Sequence, residues 1–168
     1  MEDPNFKRSV VLLCDHNEEG SFGFVLNRTL DLRVGDFMEG LPETDAVVSF
    51  GGPVQNDALF YIHTLGERIP NSIPVMDGLF MGGDYESLQD LLQTGEADRS
   101  NLRFFVGYSG WGGGQLAGEM EANSWIVAKS DVATIMKADS EEAWGDILRS
   151  MGKQYSVLAN FPDDPTLN

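Results

Sequence analysis

Between Phe104 and Ala128 the chain reads FFVGYSGWGGGQLAGEMEANSWIVA. A strand-like apolar run meets a glycine cluster, then a short helical run, then a second strand-like run. Leu102 to Tyr108 reads as a strand, Gln115 to Ala122 as a short helix and Ser124 to Lys129 as another strand. The bend Gly110-Trp111-Gly112-Gly113-Gly114-Gln115 is then a phosphate cradle, a nucleophile turn or architecture, and the choice decides what chemistry the chain can carry.

Each chemistry has requirements that the sequence can be held to. Gly112, Gly114 and Ala117 satisfy the loose G-x-G-x-x-(G/A) form after a strand, with Asp131 near where a ribose-binding acid belongs. The helix that follows is short for a dinucleotide crossover, and 19 glycines make chance matches easy. A Walker loop is excluded because no Gly-Lys-Ser/Thr follows. A helix N-terminus alone offers an anion its free N–H groups, yet no cation stands nearby to help. Ser109 in GYSGW fails as a nucleophile elbow, since Trp111 occupies the place of the second glycine. The architectural reading is preferred: the glycines supply positive φ and close backbone approach, and Trp111 folds down as an anchor.

The rest of the chain supplies the elements around this bend. Val10 to Cys14 is a continuous apolar run, expected to be a strand covered on both faces. After the turn residues HNEEG, Ser21 to Asn27 returns as its hairpin partner. Val34, Phe37, Met38 and Leu41 fall at helical spacing, which predicts a short helix. AVVSF and ALFYIHT bracket GGPVQND and suggest a second hairpin. GLFMGGD is a short strand running into a helix that Asp84 caps, with Leu88, Leu91 and Leu92 as its stripe and Gly95 at its end. Ser130 to Ala138 and Asp139 to Met151 read as helices. The second carries an Asp139/Glu142 capping box and an apolar face of Trp144, Ile147, Leu148 and Met151. Hairpins followed by β-α alternation predict one α/β domain around a mixed sheet, over residues 1–151. Residues 152–168 read as a C-terminal extension, partly disordered, ending in FPDDPTLN.

Charge excludes whole classes of partner. Eleven Lys and Arg against 27 Asp and Glu give a formal charge of −16 over 168 residues. Without a basic cluster the chain has nothing to displace the counterions of a phosphate backbone, so direct nucleic-acid binding is not expected. An anionic membrane surface would repel it, and no apolar run approaches the length of a membrane span. The start, Met1-Glu-Asp-Pro-Asn, does not resemble a secretory signal. With a single cysteine, these features predict a cytoplasmic setting.

That cysteine begins the remaining candidate chemistry. Cys14 and His16 lie two apart on a strand and are expected to share a face, making them the best catalytic pair. The competing reading is a buried strand cysteine beside a histidine at the hairpin mouth. Asp15, His16, Glu18 and Glu19 could gather a metal, but they equally suit a solvated turn, and no zinc spacing is present. His63 in FYIHT reads as a half-buried strand histidine. Neither a cofactor nor a metal is expected.

RSVVLLCDHNEEGSFGFVLNR, GGPVQNDALFYIH, MDGLFMGGD and GYSGWGGGQLAGEMEANSWIVA together resemble the bacterial AlgH/YqgE family, in order and in spacing, from about Asp3 to Met151. The resemblance implies an α/β domain of α+β type, whose mixed, bifurcated sheet curls into a partial barrel flanked by helices. It brings no established catalytic residues. Some members carry the label of transcriptional regulator in connection with exopolysaccharide control. The family often has alanine where Ser109 stands and proline where Gly113 stands, which argues against an essential serine and for a rigid turn. Relatives usually carry an extra strand ahead of DPNF, so an exposed sheet edge is expected here. The resemblance marks Cys14-Asp15-His16-Asn17 as the most suspect surface.

The expectation is therefore a non-enzymatic module that meets a protein partner or small ligand. Asp15, His16 and Asn17 would share its surface with Trp111, Gly112, Gly114 and Gln115. The alternative is an enzyme or redox protein using Cys14 with His16.

Overall fold

A computed structural model of the chain describes residues 3–162. Seven strands form one mixed sheet: β1 (Val11–Asn17), β2 (Gly20–Val25), β3 (Val47–Phe50), β4 (Val54–His63), β5 (Ile73–Met76), β6 (Leu79–Met81) and β7 (Leu102–Gly112). Five helices accompany it among the described residues: α1 (Tyr85–Gln93), α2 (Gln115–Glu121), α3 (Val132–Lys137), α4 (Glu142–Ser150) and α5 (Lys153–Ala159).

The strand order is β1-β2-β7-β4-β6-β5, with β3 joined to β7 off that path. β7 is the spine. Arg103–Val106 pair with parallel β3 on one edge, and antiparallel β4 runs along the other. Further on, Ser109–Gly112 exchange β3 for antiparallel β2. That exchange bifurcates the sheet, which curls into a nearly closed barrel within a single α+β domain.

β7 is buried on both faces over Leu102–Gly107, and apart from Arg103 that stretch is apolar or glycine. Phe104 and Val106 join Val48, Tyr61, Leu88, Leu91 and Leu92 in a core beneath α1. Phe105 points the other way, to Phe24, Ile62, Leu79, Ile135 and Met136. Its ring stacks on Phe24 at 4.7 Å and 17°. Each ring so buried contributes about 1.5–3 kcal/mol of hydrophobic stabilisation. α1 forms as its sequence predicts: the Asp84 carboxylate accepts the Ser87 N–H at 2.9 Å, and Leu88, Leu91 and Leu92 are buried.

Several local expectations are corrected. AVVSF and ALFYIHT do not form a hairpin; β3 and β4 lie on opposite edges of β7. The chain crosses β7 at Gly51-Gly52, where a Cβ on Gly51 would sit 2.3 Å from the Gly107 carbonyl oxygen and one on Gly52 2.2 Å from that of Tyr108. Only bare backbone crosses at that distance. Val34–Asp36 makes one 3-10 turn rather than a helix reaching Leu41. Ser124–Lys129 is not a strand; it runs without a ladder partner, with Ile126 and Val127 exposed. α4 begins at Glu142 without the Asp139 capping box, and its N-cap residue Glu141 makes no side-chain cap. The stretch expected to trail from residue 152 contains α5, packed against α4. Of the tail FPDDPTLN, expected to be disordered, residues 163–168 lie outside the described residues. β1 is not covered on both faces: it is the outermost strand of the path, and Leu13 is exposed.

Candidate functional site

β2 is the element that brings the two suspect segments together. Its residues pair with β1 on one side and with β7 on the other: Ser21 opposes both His16 and Trp111, and Gly20 opposes both Asn17 and Gly112. Asp15 opposes Phe22, which in turn opposes Gly110. An open groove of about 430 Å³ lies here, lined by Asp15, Asn17, Glu19, Phe22, Tyr108 and Trp111 among others. Phe22 and Tyr108 meet edge to face at 6.2 Å, and both are half-buried. At the hairpin tip Asn17 Oδ1 accepts the Glu19 N–H at 2.9 Å, and Asn17 Nδ2 donates to Asp15 at 3.2 Å. Asn17 thus closes the turn and holds the Asp15 carboxylate at the rim.

A β-bulge separates Cys14 from His16. The register shifts between Leu13 and Asp15, so one extra residue enters β1 and the alternation of faces is reset. Cys14 packs with Leu12 and Phe22 against the barrel core, whereas His16 opposes Ser21 and its Nδ1 lies 2.6 Å from Ser21 Oγ. The expected shared face is lost. Burial, reinforced by the Asp15 charge, pushes the Cys14 thiol up to about 12, and Sγ sits 3.7 Å from the Leu12 carbonyl. A protonated thiol without a base is no nucleophile at neutral pH.

The glycine bend is built as architecture. β7 continues through Gly112, so the turn proper is Gly113-Gly114, and Gly114 at φ 75° is the N-cap of α2. Gln115 Oε1 accepts the Gly112 N–H at 3.0 Å, and Gln115 Nε2 donates to Glu119 at 3.1 Å. The indole N–H groups of Trp111 and Trp125 both donate to Glu119 Oε2, at 3.1 and 2.7 Å. Phe6 packs against both indoles, at centroid distances of 5.9 and 5.5 Å. Trp111 is therefore an anchor, and Gln115 is spent on the turn. Among the described residues no strand follows α2, and Asp131 caps α3 through the Thr134 N–H, so they form no dinucleotide unit. Ser109 is buried and donates to the Gly51 carbonyl at 3.0 Å, not exposed as a nucleophile.

Two polar knots escaped sequence reasoning. His63 is fully buried, not half-buried. Its Nδ1 accepts the Leu65 N–H at 3.3 Å, which leaves the proton on Nε2, facing the Gly82 carbonyl at 3.0 Å and Ser72 Oγ at 2.9 Å. Ser72 donates to the Ile69 carbonyl. His63 thus lacks the free lone pair a base toward Ser72 would need, and burial lowers its pKa against the opposing Gly82 bond. Arg103, also fully buried, donates to the Ile135, Ala138 and Leu26 carbonyls and to Ser49 Oγ. It ties the end of α3 to the sheet. Desolvation pushes its pKa down to about 10. Among the described residues no group of three or more His, Cys, Asp or Glu side chains could hold a metal.

The sequence profile of the family described as AlgH-like, DUF179, matches residues 1–156. The chain belongs to this AlgH-like family. A UPF0301 protein of Chlorobaculum tepidum is 43% identical over 166 residues, covering 99% of this chain and 89% of its own. One from Cytophaga hutchinsonii is 43% identical over 167 residues, covering 99% and 92%. The solution structure of the AlgH protein from Pseudomonas aeruginosa, at 28% identity, matches with a TM-score of 0.75 over 98% of this chain and 89% of that one. The crystal structure of protein DIP2367 from Corynebacterium diphtheriae, at 27% identity, gives 0.76 over 96% and 86%.

Of the residues expected at the site, Asp15, Asn17 and Trp111 line the groove, while His16, Gly112, Gly114 and Gln115 are not among its lining residues. Sequence reasoning missed Phe22, Val54 and Tyr108. The alternation in SFGFV was a signal for Phe22, whereas Val54 reaches the groove only because β4 crosses to the far edge of β7.

Proposed function

We propose that this AlgH-like chain is a non-enzymatic, cytoplasmic binding module that acts through a protein partner or small ligand held in the β1–β2–β7 groove. Any effect on transcription would be indirect. The observation that carries the reading is the groove itself: half-buried aromatic rings beneath polar residues, with Cys14 not paired to His16. The enzymatic alternative requires Cys14 and His16 to cooperate, and the bulge turns them to opposite faces. The charge of −16 opposes direct contact with nucleic acid.

Native mass spectrometry of the protein purified from its own host tests this. A bound protein or small molecule that is lost in a Tyr108→Leu variant supports the groove. Bound mass that is indifferent to groove substitutions refutes it, and turnover of a co-purifying small molecule would restore the enzymatic reading. Tight sequence-specific gel shifts at physiological salt would refute the exclusion of nucleic acid.

A further inference from the structure

Charge and aromatic surface coincide in the groove, and together they narrow its occupant. Asp15 and Glu19 stand at the rim, and no Lys or Arg lines the groove. Asp15 is directly opposite Phe22 in the β1–β2 ladder, so a carboxylate and a ring face the same space. Tyr108 completes the aromatic wall. Asn17 fixes the Asp15 carboxylate rather than neutralising it. A carboxylate rim over aromatic rings favours a cation whose stem is apolar, because the rings take the stem and the π face while the acids take the charge. Anions are repelled there, and a neutral apolar ligand would leave the rim carboxylates partly desolvated and unpaired.

The geometry points to a basic, arginine-bearing segment of a partner protein as the occupant, with one guanidinium set between the Asp15 and Glu19 carboxylates and its stem against Phe22 and Tyr108. This rests on the groove being the binding surface, as proposed above. Arginine fits better than lysine because its planar head both stacks on aromatic faces and pairs with carboxylates in a fixed fork. The open shape suits a side chain presented by a larger molecule. The uniformly acidic chain would add steering, with the local carboxylates supplying the selectivity.

The test is a two-dimensional NMR titration of the full chain with an acetylated, amidated tetra-arginine peptide at 150 mM NaCl. At that salt charges more than about 8 Å away are largely screened, so a general attraction to −16 is suppressed relative to contact. The expected result is that amide shifts concentrate on 15–23 and 108–112. Asp15→Asn with Glu19→Gln should weaken binding about tenfold, a rim-charge effect of about 1.4 kcal/mol. Glu86→Gln with Asp90→Asn, on the exposed side of α1, should leave it unchanged. Tyr108→Leu should weaken binding and Tyr108→Phe retain it, which separates a ring contact from a folding defect.

Equal losses in the two acidic double variants, or shifts spread over the whole surface, overturn the inference in favour of unspecific attraction. If tetra-arginine leaves the groove amides still while a neutral or anionic fragment moves them, the cation assignment fails and the groove survives. If the free guanidinium of arginine amide binds as tightly as the peptide, a small amine rather than a protein segment is the occupant. If probes of every charge leave those amides unmoved, both the inference and the groove reading fall.

Discussion

Alkylation of Cys14 separates the two functional classes most sharply. The nucleophile toward iodoacetamide is the thiolate. A free cysteine, with a pKa of about 8.5, is roughly one quarter thiolate at pH 8. With its pKa pushed up to about 12, folded Cys14 is about one part in ten thousand thiolate at that pH. The folded protein should therefore react on the order of a thousandfold more slowly than the same chain unfolded in guanidinium chloride. The rate should climb about tenfold per pH unit from pH 7 to pH 10 without levelling, because no titration is completed below the raised pKa. Asp15→Asn should speed the reaction modestly, since burial is the larger cause and the Asp15 charge the smaller. Mass spectrometry of quenched time points measures all of this on the one cysteine of the chain. A plateau below pH 9, or a folded rate within tenfold of the unfolded one, would refute the reasoning and revive the thiol as a reactive group.

Other perturbations probe the architecture that presents the groove. Arg103→Met should lower stability by roughly 2 kcal/mol in chemical denaturation, because it removes the Arg103 donor to the buried Leu26 carbonyl even as it removes a buried charge; a neutral result would mean that carbonyl finds another donor. Glu119→Gln should cost about 1–2 kcal/mol, since an amide oxygen accepts less strongly from the Trp111 and Trp125 indoles, and tryptophan fluorescence should shift to the red. Gly23→Ala should destabilise strongly, as its Cβ would lie 2.1 Å from the Leu12 carbonyl oxygen, whereas Gly35→Ala meets open space and should be close to neutral. The Asp84 cap predicts a pH dependence: bonds from Ser87 lower its folded pKa, so its contribution is present above the ordinary carboxylate range and is lost as pH falls through the folded value. Asp84→Ala should flatten that part of the acid unfolding curve.

What the sequence made legible depended on how local the cause was. α1 was readable because Asp84, the leucine stripe and Gly95 all act within one helix. The β1–β2 hairpin and the β7 run were readable for the same reason. The bulge at Cys14 was not, because its origin is the match between β1 and β2 across the ladder rather than anything in VLLCDHN. That single inserted residue undid the catalytic pair and set Asp15 opposite Phe22, so the largest error about the site and its most useful geometry share one cause. The capping box at Asp139 failed similarly. Asp139 lies within reach of Arg99, at 3.6 Å, and its carbonyl accepts the Thr29 hydroxyl, contacts that hold it outside α4.

The segment after α2 shows why a β-α-β pattern need not make a β-α-β unit. SWIVA has the composition of a strand, but from Arg103 to Val106 β7 is already paired on both sides, by β3 and β4, and from Ser109 to Gly112 it is paired with β2. Glu119 meanwhile draws the Trp125 indole back beside Trp111 at 5.9 Å, which pins the segment beside the bend it has just left. Strand propensity thus loses to a carboxylate shared by two indoles. The same glycine bend that resembles a cofactor loop therefore delivers its chain to an aromatic clasp. It leaves the space between β1, β2 and β7 open as a groove, and the chemistry of that groove belongs to Asp15, Glu19, Phe22 and Tyr108 rather than to the glycines.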